Sequence, residues 1–123
     1  MTTEATEGTQ TGTQTGTQAG TQAAKAYPTF AAFYPYYLSE HSNRTCRRLH
    51  FIGTSLGLVL LLHAFATLNF WWLLAGVVQG YAWAWIGHFF FEHNKPATFK
   101  YPLYSFAGDW VMWKDVLTGK IKF

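Results

Sequence analysis

From Phe51 to Phe91 the chain runs for 41 consecutive residues without an Asp, Glu, Lys or Arg. A helix at the surface of a soluble domain keeps one face polar, so an uncharged stretch of this length points to lipid as the solvent. A spanning helix takes about 17 to 25 residues, which makes room for two spans, at about 50–68 and 70–91. Asn69 is the natural turn, and Trp71 and Trp72 after it are interfacial anchors. The expected fold is all-α, an integral-membrane helical hairpin flanked by interfacial helices. Gly53 and Gly57 on the first span, with Gly76, Gly80 and Gly87 on the second, allow close helix contact.

The charges that do occur are placed informatively. Charged residues make up 12% of the 123 residues, against about 25% in soluble domains. The net charge of +3 is too small and scattered for a nucleic-acid footprint. Arg44, Arg47 and Arg48 precede the uncharged run and Lys95 and Lys100 follow it. By the positive-inside rule both open ends of the hairpin, and so both termini, lie in the cytoplasm. The single cysteine, Cys46, cannot form an internal disulfide or a cysteine-type zinc site, and its arginine neighbours suit a reducing compartment.

Outside the hairpin the pattern changes. Residues 1–26 repeat Gly-Thr-Gln with no recurring apolar side chain and read as a disordered tail, so the helical membrane domain occupies residues 27–123. Tyr27 to Leu38 is rich in aromatic rings and interrupted by Pro28 and Pro35, as expected of a short kinked helix at the headgroups. Residues 39–43 form a polar break, and Asn43 is placed to cap a helix starting near Arg44. Near the C-terminus Phe106, Trp110, Trp113 and Leu117 fall at helical spacing, with Asp109, Lys114 and Asp115 elsewhere. This predicts an amphipathic helix on the cytoplasmic membrane face. Gly119 can end it, and Lys120 and Lys122 favour anionic lipid.

Five histidines are candidates for chemistry. His50 lies 19 residues before Asn69 and His88 lies 19 after it, so an antiparallel hairpin brings them to one level. Glu92, four residues beyond His88, shares its face on an α-helix and adds a carboxylate. His41 can fold over the same mouth if the break at Ser42 and Asn43 turns the chain, and His93 follows in a loop. His63 is 13 residues beyond His50, about 20 Å along the helix, and reads as a packing residue. Each of these histidines has an ordinary alternative as a helix cap or a solvated loop residue. Histidines with at most one carboxylate suit non-haem Fe(II), with Zn(II) also possible. A metal at the rim of a lipid-facing hairpin would meet the headgroup of an amphiphile, and one of Arg44, Arg47 and Arg48 could hold a substrate carboxylate. Paired histidines on two spans could instead hold a b-type haem, and a small scaffold without metal is a third reading.

The segments Tyr37-Leu-Ser-Glu-His41, Asn43, His50, Gly87-His88-Phe-Phe-Phe-Glu92 and Pro96-Ala97 together resemble the signature of the 2-hydroxy fatty acid dioxygenase family, over roughly residues 34–97. The resemblance implies a membrane-embedded, Fe(II)-dependent enzyme of fatty acid α-oxidation that uses O2 to shorten a 2-hydroxy fatty acid by one carbon. It further implies His41, His50 and His88 as iron ligands, with Glu92 as a further ligand or a catalytic partner beside them.

Overall fold

The structure is a computed structural model that describes residues 27–123. The tail expected over residues 1–26 lies outside the described residues. Among the described residues there are four α-helices and no strand: α1 (Phe30–Ser39), α2 (Arg44–Thr67), α3 (Trp71–Ile86) and α4 (Pro102–Leu117). A π-helical turn, Gly87–Glu92, continues α3, and a short 3-10 turn, Ala97–Phe99, precedes α4.

Local chemistry sets the boundaries. Thr29 caps α1 by accepting from Ala32 N, and Asn43 caps α2 by accepting from Cys46 N at 3.1 Å. Leu68, in the left-handed region at φ 53°, ends α2, and Asn69 Oδ1 then accepts from Trp71 N to start α3. Pro102 opens α4, where the missing N–H costs nothing.

The two long helices pack antiparallel, backbone against backbone. Gly53 faces Gly80 and Gly57 faces Gly76; a Cβ on Gly53 would lie 3.2 Å from Gly80 O and 3.1 Å from Trp83 Cβ. Gln79 Nε2 ties the seam by donating to Gly53 O and Gly76 O, both at 2.8 Å. Gly87 crosses Cys46 so closely that a Cβ there would meet Sγ at 3.1 Å. Of these helices one, α2, is long and apolar enough to cross a membrane among the described residues. As an α-helix α3 has 16 residues, about 24 Å, and the uncharged stretch beyond it continues in π-helical form.

The flanking helices α1 and α4 pack against each other. In α1, Phe33 and Tyr37 are fully buried and form a core with Ala97 and Met112. The face that α4 turns inward carries Ser105, Gly108, Met112 and Asp115, while Phe106 and Leu117 are exposed. The deciding contacts come from α1, whose Tyr34 hydroxyl donates to Asp115 Oδ2 at 2.7 Å and whose Tyr37 hydroxyl donates to Asp109 Oδ1. Trp113 remains partly covered, donating from Nε1 to Ser55 Oγ on α2 at 2.9 Å.

Candidate metal centre

His41 comes from the break after α1, His50 from the second turn of α2 and His88 from the π-helix. All three are buried, at 1%, 4% and 2% exposure. Their rings meet pairwise, with centroids 4.5 to 4.8 Å apart, and one ligating atom from each lies within 4.8 Å of the others. The close crossing of Gly87 over Cys46 draws His50 and His88 together. The break supplies the third ring by returning the chain, since nine residues on one continuous helix would point His41 away from His50.

The tautomers follow from the partners of the other ring nitrogens. His41 Nδ1 is 2.6 Å from Tyr37 O and His50 Nδ1 is 2.8 Å from Cys46 O. A carbonyl only accepts, so both Nδ1 atoms carry the proton. Asn94 Nδ2 donates to Glu40 O and to Glu40 Oε2, which fixes its amide so that Oδ1 faces His88 Nδ1 at 2.7 Å and accepts. All three Nε2 atoms are therefore left with unprotonated lone pairs. His41 Nε2 and His50 Nε2 stand 3.1 Å apart with no proton between them, an arrangement that a cation stabilises. A metal bound to nitrogen at about 2.0 to 2.1 Å holds neighbouring ligands about 3 Å apart. Donation of the second ring N–H to a carbonyl is also how metal-bound histidines are oriented. Burial, then the neighbouring imidazoles, push the His41 pKa well below its ordinary value, which keeps it neutral and ready to ligate.

Glu92 lies elsewhere than an α-helical His88–Glu92 face would put it, because the intervening turn is π-helical. Its Oε1 accepts from Ser42 N at 3.1 Å and from Ser42 Oγ, and its Oε2 accepts from Asn43 N at 2.6 Å. Both oxygens hold the break, not the triad. Arg47 does similar work, donating from Nη1 to His41 O at 3.0 Å and Ser42 O at 2.8 Å. Arg44 and Arg48 donate to Phe123 O. His93 is an exposed left-handed residue at φ 59° that ends the π-helix and turns Asn94 back towards His88. His63 packs edge-to-face against Trp72 at the far end of the hairpin.

Two residues of the site carry no local signal of their role. Tyr37, four residues before His41, stacks on its ring at 4.1 Å. Gly108 permits this, for a Cβ there would lie 2.8 Å from the Tyr37 ring. Asp109, which accepts from the Tyr37 hydroxyl, has its carboxyl raised by burial from 3.8 to about 7, against the opposing pull of that hydrogen bond. Asp109 also borders two cavities. One, of about 10 Å³, lies among Tyr37, His41, His50, His88 and Asp109 and has room for little more than a water or an ion. A porphyrin between His50 and His88 does not fit there. The other, of about 290 Å³, is half open and leads from His50 and Asp109 along the glycine seam. None of Arg44, Arg47 and Arg48 borders either cavity.

Residues 27–121 match the family model described as 2-hydroxy-palmitic acid dioxygenase Mpo1-like. No curated protein and no solved structure matches the chain.

Proposed function

The chain belongs to the 2-hydroxy-palmitic acid dioxygenase Mpo1-like family, and on that premise we propose that it is a membrane-embedded, Fe(II)-dependent dioxygenase. It shortens 2-hydroxy fatty acids by one carbon with O2 at the cytoplasmic face of a membrane. The observation that carries this reading is the convergence of three unprotonated, buried Nε2 atoms beside an apolar groove. His41, His50 and His88 are the ligands, and a three-nitrogen donor set suits Fe(II). An Fe(II) ion held there supplies the centre at which O2 oxidises the 2-hydroxy acid.

The remaining work falls to the protein. Tyr37 O, Cys46 O and Asn94 Oδ1 hold the three imidazoles in the ligating tautomer. Asp109, with its carboxyl titrating near neutrality between the triad and the groove, takes up the proton of the substrate 2-hydroxyl. Glu92 and Arg47 are positioning residues that keep the break folded over the site. Arg44 and Arg48 anchor topology at the membrane surface rather than gripping substrate. Both α2 and the run formed by α3 with its π-helix cross the bilayer. Only 17% of the apolar window of α2 is buried inside the protein, whereas the core helix of a soluble protein would be mostly covered.

The test uses the detergent-purified full chain, loaded anaerobically with Fe(II) and then given O2. 2-Hydroxypalmitate should yield the acid one carbon shorter, and palmitate, which lacks the second chelating oxygen, should not. Equal processing of both acids, or of neither, would remove the dioxygenase reading.

A further inference from the structure

The 290 Å³ cavity is narrow and long. On α2 its walls run from His50 through Gly53 and Gly57 to Leu61, and on α3 from Ala84 through Val77 to Leu73. Those positions face one another in the register set by the Gly53–Gly80 and Gly57–Gly76 contacts. Its volume sits at the small end of ligand sites, about 300 Å³ and upward, yet it stretches over three helical turns. Such a shape takes a single unbranched chain and excludes rings. Its lining is mostly apolar, with Thr54, Tyr81 and, at one end, His50 and Asp109 as the polar members; the last two also border the small cavity of the triad. Phe106 and Trp110 of α4 close that polar end, and Val77, 47% exposed, forms the rim through which the groove opens sideways.

We propose that this groove holds the acyl tail of the substrate and measures its length, with Leu61 and Leu73 as the far stop. The proposal rests on the reading of the triad as the site for a 2-hydroxy acid. From His50 to Leu61 the groove extends about 16 Å at 1.5 Å per helical residue. Carbon–carbon bonds of about 1.5 Å at about 111° advance an extended chain about 1.25 Å per carbon. The groove therefore seats about 13 tail carbons, and with the two carbons at the metal the best substrate has about 14 to 16. A tail drawn from the bilayer gains no hydrophobic energy on entering an apolar groove, because lipid is equally apolar. Selection must come from fit, and the fit ends at Leu61 and Leu73.

Two measurements test this in nanodiscs with the full chain. In the first, 2-hydroxy acids of graded length are compared with the wild type, Val77→Trp, Leu73→Ala and, as a lipid-facing control, Val78→Trp. Val77 stands about two thirds of the way along the groove, so Val77→Trp should move the optimum to about ten carbons or fewer and raise KM for the 16-carbon acid at least about tenfold. Leu73→Ala should move the optimum upward, and Val78→Trp should leave the profile in place. Identical profiles for all four proteins would overturn the proposal.

In the second measurement, which needs no turnover, a 2-hydroxy acid carries a diazirine at about carbon 10 or about carbon 15. Mapping should find label at Gly57 and Val77 for the first and at Leu61 and Leu73 for the second. Labelling in that register without turnover would support the groove while removing the dioxygenase reading. Turnover with label scattered over lipid-facing Leu62 and Val78 would keep the reaction and remove the groove.

Discussion

Glu92 Oε2 accepts from Asn43 N at 2.6 Å, joining the end of the π-helix to the start of α2 across 49 residues. The contact satisfies an N–H at a helix start, which an intrahelical bond cannot do. It also fixes His41, two residues before Asn43, at the level of His88, four before Glu92. Glu92 thus shapes the histidine triad without touching it.

Glu92→Ala should lower Fe(II) affinity by about 10- to 100-fold, the usual effect of removing a group that supports a ligand. At saturating metal the ligand-field spectrum of a Co(II)-substituted sample should match the wild type, because the three nitrogens are unchanged. A different spectrum at saturation would mean that Glu92 ligates directly. Glu92→Gln, which keeps one acceptor oxygen for Asn43 N, should recover part of the affinity.

His50→Ala and His88→Ala should each abolish metal binding, since two remaining imidazoles leave a shell open to water. His63→Ala should keep full occupancy, as His63 packs on Trp72 at the opposite end. His93→Ala should keep it too, because His93 is exposed and contributes its backbone turn. Metal quantification on purified proteins decides between these outcomes. Loss of iron in the His63 variant would contradict a site confined to one end of the hairpin.

The meeting of His50 with His88 is legible in the sequence because it needs only a turn at Asn69 and equal counts on either side. The cap at Asn43 is legible for a similar reason, as its signal is local. Glu92 is misplaced by the sequence pattern because the four-residue rule presumes an α-helix, and nothing in Gly-His-Phe-Phe-Phe-Glu announces a π-helical turn. The partners of Asp109 and Asp115 are not legible, for another reason. Helical spacing shows which residues of α4 share a face, but not which helix that face meets. The tyrosines that donate to these carboxylates sit more than seventy residues away, beyond the reach of any local pattern.

Asp109 links stability to pH in a direction opposite to most carboxylates. Its folded pKa, about 7, lies above the ordinary 3.8, so the folded state holds the proton longer than the unfolded chain. Stability should then fall as pH rises from about 4 through about 7 and stay lower above that. Asp109→Asn, which can still accept from the Tyr37 hydroxyl, should melt higher than the wild type at pH 8 and nearly the same at pH 4, by thermal circular dichroism in detergent. Its turnover should drop sharply, because an amide cannot take up the 2-hydroxyl proton. An equal rise in melting temperature at both pH values would show that the charge on Asp109 is not the cause.

The topology is the remaining prediction, and the site depends on it. α1, α4, the triad and Arg44, Arg47, Arg48, Lys95 and Lys100 all belong to the end of the hairpin opposite Asn69, where Leu68, Phe70 and Trp71 are exposed. If α2 and the continuous run from Trp71 to Glu92 both cross the bilayer, the basic end stays in the cytoplasm and the turn reaches the far side. Reporters fused just before Tyr27 and after Phe123 should both read cytoplasmic, and a cysteine placed at Asn69 should react with a membrane-impermeant thiol reagent added from the far side. The four-charge shift in Arg44→Glu combined with Arg48→Glu weakens the positive bias at that end, so the same reporters should show a mixed orientation. Reporters on opposite sides in the wild type would mean that a single span, α2, crosses the membrane. His50 and His88 would then have to meet by another route than the one drawn by the glycine seam.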